Sequence, residues 1–584
     1  MGQNTQASQD MVAVGPVASG EGVPMRWNHL KVYVLVSAVL SLYFCELLCI
    51  IGGGFLAPQV AAVIGGMSLV AWPSLVSILF TVALGAIICQ ASDYWGRKWF
   101  LIIPNIGGII GCIISARATS MGMYIAGFCV GGLGFGSQGL FLAVVSEVLP
   151  RELRPWSQAG ANFVNAFGSI FALSVGGYLV QAGPEGFRTY LYITAGIYAA
   201  SVGLVTVLYN PPPRNLQTAL SFKEKIRSLD WIGYILLAGG TIPFCLGLSW
   251  AQNPYTWKNS HVLGPLLVGS VLLIILGIYA WKFNKTGLFH HQLFHHRNYV
   301  ISLAALAAEG SSYMAAGIYF PASLSVVRGA TMSPYRQSLC YMVGFCSFAV
   351  ITLVTGLYVA KTKTVRLTGV LTFVMMLCFY IPMATVNLNT PEANFWGYIC
   401  FFGAGLGLAF VTFFTAAQFA TAPELIAVTT GLGVSIRSFG GSVALAIFNA
   451  LAASGYSKNV LSQVTNGVVP LGLPEETIGP LIGGLAAGNM SLVEGLTGIT
   501  PAIVEAASLG MKQARLIGFR DVFICASCFS FLAMIASAFL NNPTSEFNKK
   551  IDAPIEAAEQ RINDPEDQSK IAHELQVEYR GNRD

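Results

Sequence analysis

The chain has 584 residues, 54% of them hydrophobic and 10% charged, with a mean hydropathy of +0.63. Soluble domains carry about 25% charged residues, so a soluble globular enzyme is excluded and a polytopic membrane protein is indicated; the 63 glycines and 26 prolines are tolerated in membrane helices, where neighbouring helices satisfy the freed backbone groups. The net charge of +5 is spread thinly, without the basic stripe that nucleic acid requires, and nucleic acid is excluded as a partner.

In chain order, residues 1–30 are polar and begin without a basic n-region, so they read as a disordered cytosolic tail and not as a signal peptide. A helix needs about 20 apolar residues to cross the hydrocarbon core. On that ruler, runs lie near 32–57, 72–91, 100–116, 121–146, 157–182, 189–209, 231–251, 261–281, 299–327, 337–360, 367–386, 395–421, 427–455 and 520–541, which makes an all-α chain of fourteen spans in the lipid bilayer. With a cytosolic N-terminus, the inner short loops hold fourteen Lys and Arg and the outer ones five; this bias predicts that both termini are cytosolic. Residues 456–519, rich in Gly, Leu and Pro, fall outside and are expected to pack as short amphipathic helices over the outer mouth. There Asn489-Met490-Ser491 is a candidate glycosylation site. The charged tail 542–584 reads as cytosolic and mostly disordered.

All twelve cysteines lie in apolar runs, where cysteine behaves as a packing residue. Cys525 and Cys528 have no second pair, and His290, His291, His295 and His296 have no acidic or thiol partner, so no metal is expected. No phosphate loop, serine elbow or H-E-x-x-H occurs. No cofactor or enzymatic activity is predicted.

The most specific signal is Asp93-Tyr-Trp-Gly96-Arg97-Lys98 between the second and third spans. It resembles the signature loop of the major facilitator superfamily, and Glu147-Val-Leu-Pro-Arg151-Glu-Leu-Arg154 after span 4 resembles a second loop of latch type. The resemblance implies that Asp93, Gly96, Arg97, Lys98, Glu147 and Arg154 form a conformational latch, made and broken as two halves rock. Span 4 aligns with the proton-coupling motif of drug antiporters but has Phe128 where that motif has Arg, so coupling must use other residues or be absent. In span 5, Ala172-Leu173 replaces the Gly-Pro of the antiporter motif.

Leu229-Asp230-Trp231-Ile232-Gly233, Glu309-Gly310, Pro423-Glu424, Gly431 and Ile436-Arg437-Ser438-Phe439-Gly440-Gly441 are similar to the fungal trichothecene-efflux-pump-like branch of the superfamily. This resemblance implies two six-helix bundles, 31–210 and 299–541, with linkers and two inserted helices in 211–298. The branch includes toxin exporters and siderophore-iron importers.

A charge at mid-bilayer costs about 2.5–3.5 kcal/mol or more and survives mainly where it faces a cavity or a partner. Glu46 lies mid-span 1, Glu309 a third of the way into span 9, and Arg437 about ten residues into span 13. Spans 1 and 9 are the first helices of the two bundles, which by the resemblance line the central cavity. Glu46 and Glu309 are therefore candidates for substrate binding or proton exchange, and Arg437 for an ion pair or a substrate contact. Among the aromatics, Tyr313, Phe163 and Phe413 are candidate platforms for a bulky amphipathic ligand. The expectation is a secondary transporter of the plasma membrane, or alternatively of a vacuolar or vesicle membrane, exporting a secondary metabolite, mycotoxin or xenobiotic by proton antiport. The alternative is import of a ferric siderophore by proton symport.

Overall fold

The computed structural model describes residues 30–211, 217–218, 220–251, 255–284, 287–486, 489–496, 498–548 and 552; the predicted N-tail and most of the C-tail lie outside the described residues. The long elements are all α-helices. In the N-terminal half they are α1 (Leu30–Ile64), α2 (Trp72–Trp95), α3 (Arg97–Ala116), α4 (Met121–Phe135), α5 (Gln138–Val148), α6 (Arg154–Ala182) and α7 (Gly186–Leu208). A short α8 (Phe222–Ser228) leads to the inserted pair α9 (Trp231–Trp250) and α10 (Ser260–Ile278), and α11 (His291–His295) leads to the C-terminal half. That half comprises α12 (Arg297–Arg328), α13 (Pro334–Thr362), α14 (Arg366–Ala384), α15 (Glu392–Phe419), α16 (Ile426–Val468), α17 (Glu475–Ala486), α18 (Met490–Glu494) and α19 (Pro501–Ser537).

Local chemistry sets many of the helix starts. The hydroxyls of Ser120, Ser333 and Thr500 accept from backbone N–H groups three residues on, and Pro334 and Pro501 stand where the missing N–H is no loss. Gly96, at φ 93° and ψ 146°, divides α2 from α3 in a conformation nearly confined to glycine. The predicted fourth span is two helices, α4 and α5, separated at Gly136-Ser137; the Ser137 hydroxyl and N–H both donate to Gly134 O, at 2.6 and 2.8 Å.

Thirteen segments among the described residues are long and apolar enough to cross a membrane. The predicted ninth run, α12, is not among them although it has 32 residues. Its polarity faces the protein interior: Ser302, Glu309, Ser312 and Ser323 are buried, and the Ser312 hydroxyl meets that of Ser530 on α19 at 3.3 Å.

The segment 456–519 departs from its expected form. The apolar run read from sequence ends near 455, yet α16 continues to Val468 and α19 already begins at Pro501. The two helices stay paired because small residues let their backbones touch: a Cβ on Gly455 would lie 2.7 Å from Gly518 Cα, and one on Gly510 would lie 2.8 Å from Val464 Cα. Beyond the paired helices, Val464, Val468, Leu473, Ile478, Leu481, Val493, Ile503 and Ala507 close a small core with α17 and α18. A hydropathy ruler misses this part because its helices bury apolar groups on one another instead of in lipid.

The halves meet along α2 with α16, α5 with α16, and α6 with α13 and α15. The inserted α9 and α10 pack on each other, and α9 leans on α2 and α16 at the edge of this seam. One end of the bundle, the charged face, carries Asp93–Lys98, Arg151–Arg154, Lys361–Arg366, residues 542–548 and Asp552; the other carries the 64–72, 182–186 and 328–334 turns and the described residues of the 456–500 segment.

Candidate functional site

A cavity of about 1130 Å³ lies between the halves, walled by α1, α2, α5 and α6 on one side and α12, α13, α15 and α16 on the other. It reaches the face opposite the charged one, where the exposed Ala71, Ser74, Gln181 and Ser333 rim it. Toward the charged face it stops at Thr81, Leu142, Leu406 and Val434. Below that floor the backbones close up through glycine: a Cβ on Gly139 would lie 2.7 Å from Gly431 Cα, and one on Gly431 would lie 2.7 Å from Gly85 O. The cavity is thus open to one face and sealed from the other. Among the described residues of 456–519, none lines it.

The wall mixes apolar and aromatic groups with uncharged donors and acceptors, among them Gln59, Gln138, Asn165, Gln337, Tyr43, Tyr335 and Tyr341. Arg437 is its one charged member among the described residues. The guanidinium binds Glu309 through both carboxylate oxygens, Nε to Oε2 at 2.5 Å and Nη2 to Oε1 at 3.1 Å. It also lies 4.9 Å from the Tyr313 ring centroid and 4.7 Å from that of Phe410, both of which line the cavity. Close approach of α12 and α16 makes the pair possible, since a Cβ on Gly310 would meet Arg437 O at 2.0 Å. Such a planar, bidentate pair presents a neutralised donor framed by aromatic faces.

Of the residues picked from sequence, Arg437 and Tyr313 therefore line the cavity, while Glu309 is fully buried behind Arg437. Glu46 is also fully buried and outside the wall. Neither of its oxygens has a hydrogen-bond partner among the described residues, although Gln138, which does line the cavity, is the polar side chain beside it. Phe163 points outward and stacks with Phe167 at 6.4 Å, and Phe413 is buried against Phe373 at 5.8 Å; neither reaches the cavity. Phe410 and Gln138 were missed: in sequence, one is another aromatic in an apolar run and the other a lone amide. Phe128 fills the space beside α1, where a Cβ on Gly53 would strike its ring at 1.9 Å.

At the charged face, Asp93 and Arg97 pair one turn apart at 3.2 Å, and Arg97 also pairs with the buried Glu147. Lys98 Nζ donates to Thr206 O at 2.8 Å and to Asn210 Oδ1 at 2.5 Å. These contacts knit α2, α3, α5 and α7 within the N-terminal half. Arg154 instead crosses the seam, donating to Gln418 O at 3.2 Å and lying over the Phe419 ring at 5.3 Å. Arg154 and Arg151 both pair with Asp552, and Arg151 pairs with Glu546. The two acids lie in the charged tail, where no spacing distinguishes them from its other carboxylates.

The histidines engage backbone instead of one another: His291 Nε2 lies 2.9 Å from Ala280 O, and His295 Nδ1 lies 2.9 Å from His291 O. Burial, with His291 nearby, pushes His290 below the usual histidine range. Asn489 is exposed, and its side-chain oxygen caps α18 by accepting from Leu492 N at 3.2 Å.

A family model described as the fungal trichothecene efflux pump (TRI12) matches residues 36–553. Similar relatives include the trichothecene efflux pump TRI12 of Fusarium sporotrichioides, 23% identical over 80% of this chain and 79% of the relative. The efflux pump FUS6 of Gibberella fujikuroi is 24% identical over 67% and 70%. Among solved structures, the proton:xylose symporter XylE aligns with a TM-score of 0.53 at 13% identity over 90% of this chain and 99% of its own. A peptide transporter of the POT family aligns at 0.53 and 13% over 87% and 96%. The single match running nearly end to end, together with two helical halves around a one-sided cavity, makes this chain a transporter of the major facilitator superfamily that belongs to the fungal trichothecene efflux pump family.

Proposed function

We propose that the chain exports an uncharged, oxygen-rich amphipathic metabolite or toxin across the plasma membrane in exchange for protons, with both termini in the cytosol. The observation that carries this reading is the cavity itself: about 1130 Å³, amide-, hydroxyl- and aromatic-lined, with its one charge already paired to Glu309. A charged solute would meet no free counter-ion there, whereas an uncharged one finds rings to stack on and donors for its oxygens. On this orientation the charged face is cytosolic, consistent with the Lys and Arg bias of the short loops, and the conformation is outward-open.

Glu46 is the proton carrier in this reading. Burying an ionised carboxylate without a partner is expensive, so Glu46 gains or loses its proton as rearrangement near Gln138 admits water from the cavity. Glu309, held by Arg437, serves instead to keep the site electrically neutral.

The test is expression in a transporter-deficient yeast, with a trichothecene and a panel of neutral and charged amphipaths as probes, and growth on ferric siderophores under iron starvation as the second arm. Lower intracellular trichothecene, steeper at acidic external pH and independent of pH in Glu46→Gln, supports the reading. Siderophore-dependent growth without toxin export would replace it with import.

A further inference from the structure

Residues 542–548 and Asp552 lie against the charged face and touch both halves. On the C-terminal side, Asn542 Oδ1 accepts from the N–H groups of Val365, just before α14, and of Arg366, its first residue, each at 3.0 Å. Phe547 is buried in a small core with Val359, Val365, Ala416 and Phe419, its ring 4.7 Å from that of Phe419. On the N-terminal side, Glu152 N donates to Asn548 O at 2.9 Å, and Arg151 and Arg154 hold Asp552. Asp552 is almost fully buried, as is Arg154. A peripheral tail has no need of two buried charges, and this pairing spans the line along which the halves must part.

We propose that residues 542–548 together with Asp552 act as a strap that holds the charged face closed, and that the Asp552 contacts with Arg151 and Arg154 release whenever that face opens. The strap is anchored through Asn542 and Phe547 to the C-terminal half and clipped by charge to the N-terminal half. Charge-assisted pairs suit a clip better than apolar packing does, because on release water solvates both partners. The strap sets how often the open-inward state is reached, independently of which solute is carried, so failure of the substrate assignment leaves it standing.

The test compares full-length protein with Asp552→Asn in detergent or nanodiscs by hydrogen–deuterium exchange. Peptides covering 81–95 and 427–438 report the seal at the charged face, and peptides covering 313–345 report the opposite mouth. Loss of the Asp552 charge, which holds both arginines, predicts exchange at the seal faster by about tenfold or more, with slower exchange at the mouth as the cavity closes there. Arg151→Gln, which leaves Asp552 paired with Arg154, is expected to give a smaller change of the same sign at both places. Unchanged exchange at the seal overturns the proposal. Faster exchange at both ends overturns it as well, because that pattern marks a tail that merely stabilises the fold.

Discussion

Replacing Glu309 with glutamine leaves the Arg437 guanidinium inside the protein with half of its partner gone. Glu309 is fully buried and the Arg437 side chain is 17% exposed. Breaking a buried pair by removing one charge costs about 3–5 kcal/mol, and the faces of Tyr313 and Phe410 return part of that, since a cation over a ring contributes about 0.5–2 kcal/mol. The expected loss in Glu309→Gln is therefore about 1–4.5 kcal/mol. Adding Arg437→Met removes the stranded charge with a side chain that fills much of the same space, so the double variant should recover about 1–2 kcal/mol over Glu309→Gln alone. Equilibrium unfolding in detergent micelles reads both numbers and closes the double-mutant cycle. If Glu309→Gln unfolds within about 0.5 kcal/mol of the parent, an error typical of such cycles, or if the double variant is less stable than the sum of the single ones, the pair is not the neutralising unit described above.

Gly431→Leu puts a branched side chain where even a Cβ meets Gly85 O and Cys89 Sγ at 2.7 and 2.8 Å; the charged face can no longer seal, and exchange at peptides covering 81–95 should rise while transport falls. Asn489→Gln should remove an endoglycosidase-sensitive shift in gel mobility if the 456–500 face is the non-cytosolic one; a parent protein without that shift when made in the secretory pathway would count against the orientation.

Spans were legible where helices face lipid, because lipid selects hydropathy. They were less legible where helices face protein or water. In α12 the polar residues turn inward, and in α16 and α19 a glycine-lined contact replaces lipid beyond the apolar run. Span 4 concealed a break at Gly136-Ser137 because both of its pieces are apolar. Asp93, Arg97 and Glu147 announced themselves by charge at helix ends, and they cluster. Intramembrane charge likewise singled out Glu46, Glu309 and Arg437, but composition could not tell that Glu309 and Arg437 meet across 128 residues of chain. Nor could it tell that Glu46 stands outside the cavity wall. Aromatic residues gave the weakest guide: Phe163 and Phe413 differ from Phe410 only in which way each helix turns it. Asp552 gave no signal, because its partners Arg151 and Arg154 precede it by some four hundred residues.

The most direct measurement fills the passage. Ser338→Trp and Gly54→Trp each set an indole into the cavity from opposite halves, since both positions line it. Efflux of an uncharged amphipath from proteoliposomes should fall to background in each variant while the purified protein stays folded, and a permanently charged analogue of the same scaffold should leave slowly even with the parent protein. Undiminished efflux of the uncharged probe through either indole-bearing variant would mean that the solute does not pass between the halves here.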